Sequence, residues 1–193
     1  STVFAAWLLS FHRSYRKINY ALIESNTYGL IEKVRSGQIE LALVRTPFNA
    51  PDLACVSLAE ESMIAVGESE FFPKEDSVRP GLVDFADAPL ILYRRWEQIL
   101  RDEFERANRR PRVVCINDDA RTTVYLAEAG LGVGIVPASI LPIVSDEKMR
   151  VCPLNNPNLK TRLSVIFRKD VPLSAAGQAF VQSLAKAEQG LSE

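Results

Sequence analysis

The sequence predicts an α/β protein, a parallel sheet with helices on its faces, arranged in at least two blocks. Three observations carry this expectation. Residues 39–44 (IELALV) make an uninterrupted apolar strand directly after a short helical stripe. Residues 121–137 (RTTVYLAEAGLGVGIVP) read as a helix, a glycine stop, a buried strand and a proline terminator. Helical and strand periodicities also alternate over residues 2–45 with short links, the pattern of strands packed beneath helices.

Taken in order, residues 2–17 are helical by period, with Phe4, Trp7, Leu8, Phe11 and Tyr15 at three- and four-residue steps. Residues 19–24 read as a strand, and Ser25, Asn26 and Thr27 offer N-cap groups to a helix striped by Leu30, Ile31 and Val34 and stopped by Gly37. Strand 39–44 follows. Past Pro47 and Pro51 come two strand candidates, 55–58 and 62–67, then a polar linker to Pro80. A short helix at 83–86 precedes the buried strand 89–93 (PLILY), and a charged helix spans 97–109 with Ile99, Leu100 and Phe104 inward. Strand 112–116 leads into the 121–137 motif, in which Gly130 sits where a helix needs positive φ and the alternating glycines suit a strand packed closely under a helix. Strands 149–153 and 161–168 come next. Ser174 then caps a last helix whose stripe is Phe180, Val181 and Leu184, an amphipathic helix that needs a partner in the first block.

Composition excludes several classes. The 193 residues carry 23 basic and 24 acidic side chains, so charge gives no general drive towards nucleic acid or anionic membrane. No apolar run approaches the ~18–20 residues needed to span a bilayer. Phe11, His12, Arg13, Arg16 and Lys17 interrupt any signal-peptide core. Cys55, Cys115 and Cys152 are odd in number and scattered over apparent strands, as expected of buried free thiols in a reducing cytoplasm.

Open parallel sheets bind ligands beyond the carboxyl ends of their strands, where helices begin. Three such places are legible: Ser1 with Thr2; Ser25, Asn26 and Thr27; and Asn117 through Thr122. Free N–H groups, short polar side chains and the helix dipole suit each to a carboxylate or other small anion, although plain N-capping needs the same residues. Arg45 ends the strongest strand and can take a carboxylate bidentately, or pair with Glu24 or Glu40. Tyr93 and Arg94 end PLILY in the same way. Arg95 would point oppositely if the strand continued, and Arg94 is preferred. Trp96 is assigned to packing. Asp118 and Asp119 would repel an anion unless they pair with and orient those arginines.

No catalytic residue is assigned. His12 is the only histidine and has no acidic neighbour in sequence, so a Ser-His-Asp or Cys-His arrangement would depend on it alone. Metal-ligand spacing is lacking, with no CxxC and no HExxH. Gly130, Gly132 and Gly134 precede and occupy a strand rather than open a helix, which leaves nucleotide binding without a phosphate loop. No cofactor is expected.

Four segments in order resemble the effector-binding domain of LysR-type transcriptional regulators. Residues 2–9 are similar to its first helix, without the strand that precedes it in the family. Residues 22–45 (LIESNTYGLIEKVRSGQIELALVR) resemble its strand, helix, glycine-acid turn and strand. AEAGLGVGIVP (127–137) and LSAAGQAFVQSL (173–184) resemble its late helix-strand unit and its C-terminal helix. The resemblance implies two Rossmann-like lobes joined by two crossover strands, as in type 2 periplasmic binding proteins. Residues 1–61 with 165–193 would form lobe I and 62–164 lobe II. It also implies that the winged helix-turn-helix DNA-binding domain is absent from this chain, leaving an isolated cytoplasmic sensing domain.

Effectors in the family bind at the positions of Ser1 or Thr2 and of Thr27, so a small-molecule effector, an organic acid, is expected in the inter-lobe cleft. The family also pairs side by side and antiparallel. That implies a homodimer through the first helix and the 97–109 helix, a tetramer in the full-length regulator, DNA contact only through the absent domain, and no membrane partner. Exposure of Trp7 or Phe11 would support that interface. A transporter's solute-binding protein and an enzyme on the same scaffold remain the alternatives. The first would show an export signal and the second a catalytic constellation.

Overall fold

The computed structural model describes residues 2–74, 80–144 and 148–189. Along the chain run α1 (Thr2–Ser14), α2 (Thr27–Arg35), β1 (Leu41–Arg45), β2 (Leu53–Glu68), β3 (Pro89–Tyr93), α3 (Glu97–Arg106), β4 (Arg112–Asn117), α4 (Ala120–Glu128), β5 (Val133–Pro137), β6 (Met149–Pro153), β7 (Lys160–Arg168) and α5 (Ala175–Gln189). They form two compact units. The first holds the residues up to Glu60 and from Thr161 onward; the second holds Glu61 to Lys160.

In the first unit β1 and β7 pair antiparallel, Leu43 opposite Val165 and Arg45 opposite Leu163. Period-2 alternation gives this sheet two apolar faces. On one, Leu163 and Val165 meet Trp7 and Phe11 of α1 and Phe180 and Leu184 of α5, with the Phe11 and Phe180 rings edge to face at 5.1 Å. On the other, Ala42, Val44 and Ile166 meet Ile31 and Val34 of α2. The amphipathic last helix thus finds the partner its stripe required. Each fully buried large side chain here contributes about 1.5–3 kcal/mol of transfer free energy.

In the second unit β3 pairs parallel with both β4 and β5, while β2 pairs antiparallel with β5 and β6. Met63, Leu90, Leu92 and Ile135 pack on one face against Phe85, Trp96, Leu100 and Phe104. Ile64, Val66 and Val136 pack on the other against Val124 of α4. The glycines of the 121–137 motif are architectural. Gly130 (φ +80°) closes α4, donating to Ala127 O while Leu131 donates to Leu126 O, a Schellman pair. A Cβ on Gly132 would lie 2.1 Å from the Pro89 carbonyl oxygen, and one on Gly134 would lie 2.7 Å from the Thr123 methyl.

Several expectations are corrected. The sheets are mixed, not parallel throughout, because β1 and β2 meet their partners antiparallel. Residues 19–24 form no strand, and Tyr20, Leu22 and Ile23 are exposed. Alternation shows that a segment can be extended, but a strand also needs a ladder partner, and β1 pairs with β7. The two strands expected at 55–58 and 62–67 are one, β2, since Glu60, Glu61 and Ser62 contain no turn-forming glycine or proline. The first helix stops at Ser14, three residues short of the predicted 17. The 97–109 helix ends at Arg106, because Asn108 adopts φ +52° and Arg109 donates to Phe104 O in a second Schellman turn. The short helix expected at 83–86 is a 3-10 turn, Leu82–Phe85. The cysteines are free but not fully buried: Cys55 is exposed, Cys115 and Cys152 intermediate. An apolar strand does not ensure cover on both of its faces.

Candidate functional site

The expected residues fall on both units. On the first unit Asn26 is the N-cap of α2, its extended backbone turning the chain into the helix while its Oδ1 accepts from Gly29 N at 2.8 Å. Thr27 is buried at the first helical position. The Ser25 hydroxyl folds over the first turn, 2.3 Å from where a Cβ on Gly29 would stand. This end of the helix therefore presents amide, hydroxyl and backbone donors on the positive end of its dipole. Arg45, half-buried, ends β1 in register with Leu163. Glu40 is engaged elsewhere, accepting from the backbone N–H and, at 3.0 Å, the hydroxyl of Ser174. Of the remaining expected residues, Ser1 lies outside the described residues. Thr2 opens α1, and its side chain is likewise outside them.

On the second unit β3 and β4 end side by side, Tyr93 in register with Asn117. The strand does not continue through the arginines; Arg94, Arg95 and Trp96 form a 3-10 turn. That turn resolves the two arginines. Arg94 is exposed and donates from Nε to Asp118 Oδ1 at 2.7 Å, whereas the Arg95 Nε is buried. Trp96 is packed in the core, 1% exposed.

Asn117 uses its amide to shape the loop, exchanging hydrogen bonds with Thr123 Oγ1 and accepting from Asp119 N at 3.0 Å. Asp119 caps α4, accepting from Arg121 N at 2.7 Å and Thr122 N at 3.2 Å. The side chain of Arg121 closes on the same carboxylate, Nη2 to Oδ2 at 3.0 Å. The Arg121 hydrogen bond, with the two backbone donors, holds the Asp119 carboxyl below its ordinary pKa. The first N–H groups of α4 are thus occupied by the protein's own carboxylate, because a capping aspartate satisfies them before any ligand can. Thr122 is exposed beside them.

Sequence reading missed the role of Thr46, which follows Arg45 and hydrogen-bonds to Thr161 and Arg162. A β-branched hydroxyl residue at a strand end was the available signal. Among the described residues no group of three or more His, Cys, Asp or Glu side chains could hold a metal ion. His12 is exposed, its ring edge-on to Tyr20 at 5.8 Å. No described helix is long and apolar enough to cross a membrane. A surface hollow of about 680 Å³ beside Lys74, Asp84 and Arg109 shares no residue with the candidates.

Two α/β units, with the chain leaving the first for the second and returning, are the architecture of the type 2 periplasmic-binding-protein class. Within that class the chain belongs to the LysR substrate binding domain family, whose model matches residues 1–189. It is 27% identical over 194 residues to the HTH-type transcriptional regulator BsdA of Bacillus subtilis (strain 168), covering 94% of this chain and 66% of that protein. The HTH-type transcriptional regulator SoxR of Arthrobacter sp. (strain TE1826) is 26% identical over 184 residues, 94% of this chain and 62% of that one. The chain thus spans about three-fifths to two-thirds of the curated relatives it matches.

Solved structures share the fold. The BenM effector binding domain with its effector benzoate matches at TM-score 0.79 and 17% identity, covering 98% of this chain and 88% of that one. The effector binding domain of QuiR in complex with shikimate matches at TM-score 0.79 and 19% identity, covering 97% and 90%. Full-length CbnR complexed with target DNA matches at TM-score 0.78 and 21% identity, covering 95% of this chain and 65% of that one.

Proposed function

We propose that this chain is the effector-sensing and oligomerising part of a bacterial LysR-type transcription regulator, and that its effector is a small organic acid. The observation that carries the reading is that the first unit holds both a helix N-terminus, at Asn26 and Thr27 of α2, and Arg45 at the end of the next strand. Dipole, backbone donors and a guanidinium together favour a carboxylate. The second unit adds Tyr93, Arg94, Asn117 and Thr122 as effector contacts, with Arg94 held by Asp118 and Asn117 by Thr123. Ser1 and Thr2 complete the set by resemblance. Residues 1–61 with 165–193 serve as lobe I and 62–164 as lobe II, with the effector in the cleft between lobes. Binding favours one lobe arrangement by differential affinity, and the oligomer passes this to DNA-binding domains outside this chain.

The protein works in the cytoplasm and performs no catalysis. It pairs as a homodimer through α1 and α3 and as a tetramer in the full-length regulator. Trp7 and Phe11 are buried within the first unit and cannot serve that interface, but Leu9, on the outer face of α1, is 52% exposed. A panel of organic acids, benzoate and shikimate among them, is added to the wild-type chain and to Arg45→Ala, and melting temperature is followed. A shift for the wild type that Arg45→Ala abolishes is expected. Absence of a shift with every acid refutes the anion reading.

A further inference from the structure

The antiparallel ladder between β1 and β7 ends irregularly one residue past Arg45. In a regular hydrogen-bonded antiparallel pair, the two residues exchange backbone N–H···O=C bonds in both directions. Thr46 N does donate to Arg162 O at 2.9 Å. The return bond is replaced. Arg162 N donates to the Thr46 hydroxyl at 2.9 Å, and the Thr46 carbonyl accepts from the Thr161 hydroxyl at 2.9 Å. Two threonine hydroxyls thus stand in for one backbone bond, and a valine of the same shape at either place could not do this. Thr161 is 1% exposed, so its side chain is fixed in place.

The joint lies where the chain passes between units. Thr161 is the first residue of the returning stretch and Glu60 the last of the outgoing one. Arg162 Nη2 also donates to Glu60 Oε2 at 3.1 Å. Both crossing stretches are therefore held, through Arg162 and Thr161, to the residue next to Arg45.

We infer that Thr46 is a positioning residue that couples Arg45 to both crossing stretches of the chain, so that engagement of Arg45 is transmitted to Glu60 and Thr161. The functional meaning rests on the effector reading of Arg45; the coupling itself does not need a ligand. A rearranged Arg45 backbone carries Thr46 with it, and the two hydroxyl bonds pull on Thr161 and Arg162. Without them the end of β1 moves alone.

A double-mutant cycle read by amide hydrogen exchange at Glu60 in the ligand-free chain tests this, because Thr46→Val by itself frees the Arg162 N–H. Arg45→Ala is expected to speed exchange at Glu60 about tenfold when Thr46 is present and to add nothing in a Thr46→Val background, with Thr46→Ser behaving as wild type. A merely structural Thr46 would lower melting temperature but leave the two effects additive, and additivity overturns the inference. No response at Glu60 to Arg45→Ala overturns it as well. Thr161→Val interrupts the same joint from the other side and replaces Thr46→Val if that variant does not fold. Benzoate and shikimate binding, measured in parallel, separates the two ideas: a non-additive cycle with no acid bound removes the effector reading and leaves the coupling.

Discussion

Arg94 and Asp118 are joined by a 2.7 Å hydrogen bond across the adjacent ends of two parallel strands, and both side chains stand more than half exposed. The guanidinium proposed to meet an effector is thus held by a neighbouring acid. An exposed pair of this kind contributes only about 0–1 kcal/mol to stability. Asp118→Asn is therefore expected to leave melting temperature nearly unchanged while raising affinity for a bound organic acid several-fold, by releasing Arg94 and removing a competing negative charge. Titration calorimetry on the two proteins measures the difference.

Asp119 is expected to matter more for folding than for binding. Asp119→Ala removes the cap of α4 and should cost about 1 kcal/mol in urea unfolding. Because its carboxyl is depressed in the folded state by the Arg121 hydrogen bond and two backbone donors, its contribution is present above the ordinary carboxylate pKa. It is lost as pH falls through the lower folded value. The melting temperatures of wild type and Asp119→Ala should converge in acid.

Asp52 carries a sharper pH signature. It accepts from Arg35 Nε at 2.8 Å and Nη2 at 2.7 Å, and this bidentate contact lowers its pKa to about 2. Carboxyl-carbon NMR should show Asp52 titrating near that value. In Arg35→Gln it should return to the ordinary range of about 4.

Gly132→Ala is expected to be severely destabilising, by about 3 kcal/mol or more, since the new Cβ would fall 2.1 Å from the backbone oxygen of Pro89 and backbone cannot yield as a flexible side chain does. Denaturant unfolding, or loss of soluble protein, reports it. Substitution of Leu131 next to it, 42% exposed, should shift the midpoint little.

Glu40→Ala should loosen the start of α5. The Glu40 carboxylate accepts from both the N–H and the hydroxyl of Ser174, and the same hydroxyl accepts from Gly177 N at 3.0 Å as the helix N-cap. Loss of charge-assisted bonds of this type costs about 1.5–3 kcal/mol. Faster amide exchange through the first turn of α5, with α2 unaffected, is the expected pattern.

The sequence by itself determined the alternation of helices and strands, the apolar stripes of α1, α2 and α5, the glycine stop after α4 and the close packing of β5. These follow from period, capping and side-chain volume, which act over a few residues. It also placed Asn26, Arg45, Arg94 and Asn117 at element ends, because strand and helix boundaries are written in local chemistry.

Only the tertiary structure decided the rest. Residues 19–24 have strand-like alternation and no ladder, since pairing depends on a neighbour distant in sequence. Arg94 separates from Arg95 because a 3-10 turn, not a strand, follows Tyr93, and Asp118 comes alongside only when β4 docks parallel to β3. The joint of Thr46 with Thr161 and Arg162 links residues more than a hundred positions apart. Local physics selects the elements, while the partner of each polar group is set by which strand ends the fold brings together.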